Sequence, residues 1–145
     1  MNGSKLHDQL EHALIAKARE LAVRFKGKPM CRFDISVFPW HGTLALSVLL
    51  AEDTCDERDI AAWPHYNVSQ FSEGKWPEAA DFCSEMQRLW HGDRQLTTSL
   101  LALVGEVVRA QSVRSAFGSF DRAEDFVLTV LDPDDEHSLN YASQT

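Results

Sequence analysis

Along residues 4–25, Leu6, Leu10, Leu14, Leu21 and Phe25 recur every three to four positions, with Ala13, Ala18 and Ala22 beside them. That spacing gathers apolar side chains into one stripe of a charged helix. Ser4 fits its N-cap, and Gly27 with Pro29 fits its stop. The period then drops to two. In residues 31–38, Phe33, Ile35 and Val37 alternate with Asp34 and Ser36, the pattern of a half-buried strand. Residues 43–51 alternate Leu44, Leu46, Val48 and Leu50 with Ala45, Ser47 and Leu49, which predicts a strand buried on both faces or nearly so. The intervening Pro39-Trp40-His41-Gly42 supplies the turn of a hairpin.

Regular periods stop between Glu52 and Trp76. Five acids fall within residues 52–59, and Trp63, Tyr66, Phe71 and Trp76 follow. An irregular stretch of this length in a compact domain is more often functional than decorative. Pro77 suits the first turn of a second helix that runs to about Trp90, with Phe82, Met86, Leu89 and Trp90 inward and Gly92 as terminator. Asp93 caps a third, which presents Leu96, Leu100, Leu103, Val104, Val107 and Val108 and ends near Phe117-Gly118. Residues 121–125 read as an acidic turn and residues 126–131 as a strand. The order is therefore α-β-β-loop-α-α-β. It predicts one α+β domain over residues 1–145, with a small, mainly antiparallel sheet packed against about three helices and with residues 1–3 and about 137–145 frayed.

Charge narrows the function classes. The formal net charge is −8, yet residues 1–32 carry seven Lys/Arg against three Asp/Glu, and residues 33–145 carry seven against nineteen. Neutralising phosphates needs a basic face, so nucleic acid is disfavoured as a partner. The three cysteines, Cys31, Cys55 and Cys83, are widely spaced and form no CxxC pair, so free thiols in a cytoplasm are expected rather than a disulfide framework or a thiolate zinc site. The N-terminal residues lack the pattern of a secretory signal, and no window reaches the roughly 18 apolar residues of a membrane span.

Catalytic signatures are absent: no GxGxxG, Walker A, HExxH, GxSxG or EF-hand pattern occurs. His41 and His65 are the least ordinary of six histidines, but their spacing to acids matches no standard metal site. Cys83 falls on the inward side of a helix, where an inert thiol is normal, and carboxylates around Cys55 oppose its ionisation. No catalytic residue, metal or cofactor is expected. Glu52, Asp53, Asp56, Glu57 and Asp59 follow one strand, whereas Asp132, Asp134, Asp135 and Glu136 follow another. Solvated turns would account for both clusters. In a small sheet they could also converge into one negative surface, edged by Trp63 and Tyr66 and with His65 between them.

The leading amphipathic helix, the hairpin strands RFDISVF and TLALSVLLAED, the loop DIAAWPHYN, the helices after Trp76 and the late strand FVLTVLDPDD together resemble the small acidic α+β immunity proteins. Those proteins protect bacteria from their own polymorphic or contact-delivered toxins, and the likeness spans roughly residues 4–135. It implies a non-enzymatic cytoplasmic protein that binds one basic toxin domain. Glu52, Asp53, Asp56, Glu57 and Asp59 would steer the encounter, and Trp63 and Tyr66 would anchor it. Two other classes fit the residues: a regulatory or scaffold domain that recognises a peptide or a sister subunit along an open sheet edge, and a small enzyme that uses His41 or His65 with a carboxylate.

Overall fold

The structure, a computed structural model, describes residues 1–143 and is an α+β fold. Helix α1 spans Gly3–Arg24, and its N-cap is Asn2, whose Oδ1 accepts from the Lys5 N–H at 3.1 Å. Ser4 therefore lies inside the helix. Strands β1 (Met30–Phe38) and β2 (Thr43–Leu50) form the antiparallel hairpin, with Phe38 opposite Thr43. A Pro77–Ala79 3-10 turn leads into α2 (Ala80–Leu89), and α3 (Arg94–Arg109) is capped by Asp93 as expected.

Past α3 the structure departs from the sequence pattern. The helix breaks at Ala110, whose ψ of 142° is extended, and resumes as α4 (Gln111–Phe117). The break turns Val113 and Phe117 into the core, where Phe117 and Phe120 both pack on Phe33 with ring centroids 5.1 and 5.3 Å away. The described residues thus form four α-helices. Strand β3 runs Arg122–Thr129, so the expected acidic turn at residues 121–125 belongs mainly to the strand. It lies beside β1 in parallel, which makes the sheet mixed, in the order β2-β1-β3.

The core lies on one side of that sheet. Phe33, Ile35 and Val37 of β1 and Leu44, Leu46, Val48 and Leu50 of β2 join Leu6, Leu10, Leu14 and Leu21 of α1 in one buried cluster. Trp76 is fully buried as well, and its indole N–H donates to the Ala13 carbonyl at 3.0 Å. Lys17, on the same stripe of α1, is buried with its ammonium donating to Glu20 and to the Lys75 carbonyl, each at 2.8 Å. Within the stretch expected to fray, Asn140 and Tyr141 are hydrogen-bonded to the end of β3 and the residue after it. The Asn140 side chain accepts from the Val130 N–H and donates to the Leu128 carbonyl, both at 2.9 Å, while Tyr141 N–H donates to Val130 O. Gln144 and Thr145 lie outside the described residues.

Candidate functional site

On the face turned away from the helices, β1 presents Arg32, Asp34, Ser36 and Phe38, and two loops rise around them to enclose a cleft of about 760 Å³. The first loop follows β2. Its Asp53 carboxylate accepts from the Leu50 N–H at 2.8 Å and turns the chain, and Asp56 accepts from the Arg58 N–H at 2.9 Å. The loop then folds back over the sheet: Val48 and His65 form an isolated antiparallel bridge, and the Asn67 N–H donates to Ser47 Oγ at 2.9 Å. This cover is why the second face of β2 is buried.

The second loop leaves β3. Asp132 organises it by accepting from the Asp134 N–H at 2.9 Å and from Arg94 at 2.6 Å, while its own N–H donates to Ser138 Oγ at 2.9 Å. Burial pushes the Asp132 carboxyl up, but the Arg94 hydrogen bond, the Asp134 N–H and the Arg94 charge outweigh it and hold the group below its ordinary range.

Glu57 and Asp59 of the first loop and Asp132, Asp135 and Glu136 of the second line the same cleft. The convergence considered from the sequence is therefore realised for these residues. Glu57 is tied to Arg32 at 2.6 Å, and Asp132 to Arg94. Asp59 and Asp135 have no ion-pair partner among the described residues, and Glu136 faces only His137 at 3.6 Å. Tyr66, 40 % exposed, lines one wall.

The other sequence candidates fall elsewhere. Glu52 is exposed, and Asp53 and Asp56 are occupied with loop hydrogen bonds; none of the three lines the cleft. Asp134 is also outside it, 3.5 Å from Arg94. Trp63, expected as an anchor, is only 3 % exposed, and its indole N–H donates to the Asp56 carbonyl at 3.0 Å. It supports the loop from beneath, because a large ring next to a turn is worth more buried than solvated. The ring of His65 packs edge-on against Phe25 at 5.0 Å, and His41 sits exposed at the hairpin turn beside Trp40. Neither lies in the cleft.

Asp34 is the residue that the sequence pattern concealed. It is 1 % exposed at the cleft floor, flanked by hydroxyls: Ser36 donates to Oδ2 at 2.6 Å and Thr129 to Oδ1 at 2.5 Å. No cation pairs with it among the described residues. Burial pushes its carboxyl up to about 6, although both hydroxyls favour the ionised form. Among the thiols, burial drives Cys83 up to about 12, which fits an inert core thiol. Among the described residues, no three His, Cys, Asp or Glu side chains are grouped to hold a metal ion, and no helix is long and apolar enough to cross a membrane.

Compared with family models, curated proteins and solved structures, the chain matches none.

Proposed function

We propose that this protein is a non-enzymatic binding protein whose acidic cleft receives a basic segment of a partner protein, and that the partner is a bacterial toxin domain which it neutralises. The observation that carries this reading is the meeting of two separate acidic loops around one cleft with Tyr66 on its wall. Paired acids position the loops, which leaves Asp59, Asp135 and Glu136 as charge available to an incoming cation. Such rim charge mainly steers encounter, while a half-exposed tyrosine supplies a contact that excludes water. The neutralising role rests on the resemblance to immunity proteins.

The scaffold reading has less support, because much of the sheet edge it needs is occupied. The outer edge of β2 is covered by the loop around His65 and Val68, and that of β3 is capped at Leu128–Val130 by Asn140 and Tyr141. Farther along β3 the register jumps between the Met30↔Arg122 and Arg32↔Val127 pairs, an irregularity that discourages strand addition. One observation favours the enzyme class: Asp34 at the cleft floor has the raised pKa of a candidate general acid.

Capture from a bacterial lysate tests the proposal, with the intact chain compared against an Asp59→Asn/Asp135→Asn/Glu136→Gln variant. The intact chain should retain a basic protein that high salt releases and that the triple variant binds at least about tenfold more weakly. Co-expression should also suppress that protein's toxicity. Equal retention by the variant, or a captured protein that harms no cell, would reject the reading. Turnover that is lost in Asp34→Asn while capture is kept would favour the enzyme class instead.

A further inference from the structure

A second concavity lies on the opposite side of β3 and has the opposite charge. Its volume is about 400 Å³, and it is walled by the end of α3, by α4 and by β3. Arg109, Arg114 and Arg122 converge on it over an apolar floor of Phe117, Phe126 and Leu128, and among the described residues no carboxylate lines it. The chain holds 22 acids against 14 Lys/Arg, so an arginine here has acidic partners in excess. Arg32, Arg58, Arg88 and Arg94 each have one, whereas Arg19 and Arg24 of α1 form no ion pair among the described residues. None of the three groove arginines forms an ion pair among the described residues.

Two of these guanidiniums are already held in place. Arg109 donates to the Tyr141 carbonyl at 2.5 Å, and Arg122 stacks 5.3 Å from the Phe126 ring centroid. Arg114 is exposed on α4. Gathering three permanent cations costs repulsion, and among the described residues no carboxylate pairs with them to offset it. Solubility does not call for them, since the net charge is already −8.

We propose that this groove binds a small organic anion, a phosphate or carboxylate carried on a flat apolar body. The guanidinium forks match paired oxygens of either group, and the partly exposed Phe126 and Leu128 cover the body. The volume falls within the usual range for a small-molecule site. The groove is independent of the acidic cleft, because the two share no lining residue.

Titration of the whole chain, followed by calorimetry and by amide chemical shifts, tests this with AMP, benzoate, inorganic phosphate and uncharged adenosine as probes. At least one ring-bearing anion should saturate below about 10 mM and shift the amides of Arg109, Arg114, Arg122 and Phe126. Inorganic phosphate, lacking the apolar body, should bind at least about tenfold more weakly, and adenosine should not saturate. Stronger binding of AMP than of benzoate would assign the site to phosphates, and the reverse order to carboxylates. Arg114→Ala and Arg122→Ala should each weaken binding about tenfold or more. Both residues are exposed, so circular dichroism should show each variant folded as the parent is. The Asp59→Asn/Asp135→Asn/Glu136→Gln variant should keep its anion affinity within about threefold, because screening separates the two sites. Saturation by neither AMP nor benzoate, equal binding by the arginine variants, shifts centred elsewhere, or phosphate binding as tightly as the ring-bearing anions would each overturn the assignment.

Discussion

Asp34 sets how stability responds to pH. In the unfolded chain it titrates near 3.8, and in the fold near 6, so between those values the folded state holds a proton that the unfolded state has lost. Stability from this group is therefore complete below about pH 4, falls as pH rises through about 6 and stays reduced above it. The span corresponds to about 3 kcal/mol at neutral pH. Asp132, held low, acts in the opposite sense: its contribution is present at neutral pH and is lost as pH falls below the ordinary aspartate range. Asp34→Asn keeps the shape and lets the hydroxyls of Ser36 and Thr129 reorient. Thermal melts should place the variant above the parent at pH 7.5, with the gap closing toward pH 4; a variant less stable at pH 7.5 would contradict a buried charge at this position. The sequence located Asp34 on the outer face of β1 but could not reveal its burial, because alternation tells which face a side chain takes and not whether a distant loop covers that face. Trp63 lies in a stretch with no period, so nothing in its spacing shows that the ring turns inward. Lys17, not singled out from the sequence, does carry a signal there: it falls three residues after Leu14 on the apolar stripe, where a lysine needs a partner.

At the scale of elements, the periodic stretches were legible and their junctions were not. Helix α1 and the β1–β2 hairpin appear within a residue or two of their expected limits because their core-facing pattern is continuous but for Lys17. The α3–α4 break left no glycine or proline to mark it; it is imposed by the packing of Phe117 and Phe120 on Phe33. Asn140 was equally unreadable, because its amide completes the edge of β3 ten to twelve positions back along the chain, a contact that only folding creates. Gly105 does carry such a signal, once its neighbour is known. A Cβ there would lie 2.3 Å from the Tyr141 carbonyl oxygen, so the C-terminal segment can seat on α3 only against a glycine. Gly105→Ala gains about 1 kcal/mol of helix propensity but forces the segment away. Net destabilisation of about 1–3 kcal/mol should result, with faster hydrogen exchange at the Val130 amide, which denaturant melts and exchange spectra would detect. A stabilised variant would show that the segment does not bear on α3.

For the whole molecule, charge is divided between two concavities, an acidic one over the outer face of the sheet and a basic one beside the far strand. The net value of −8 conceals this division, because summation along the chain cancels what folding separates. The sequence therefore conveyed that acid dominates but gave no sign that Arg109, Arg114 and Arg122 meet. The central position of β1 has a further consequence. Its parallel neighbour β3 pairs Asp34 with Thr129, so the sheet is closed by residues 95 positions apart. Pairing over such a span raises the contact order and slows folding. During synthesis at about 5–20 residues per second, the finished hairpin waits several seconds for its third strand, with one edge of β1 bare. A chain stopped after Ser119 represents that nascent state. It should show no cooperative thermal transition and should associate through the free edge of β1, so that ribosome-bound chains of this protein are natural clients for a chaperone until Thr129 has emerged.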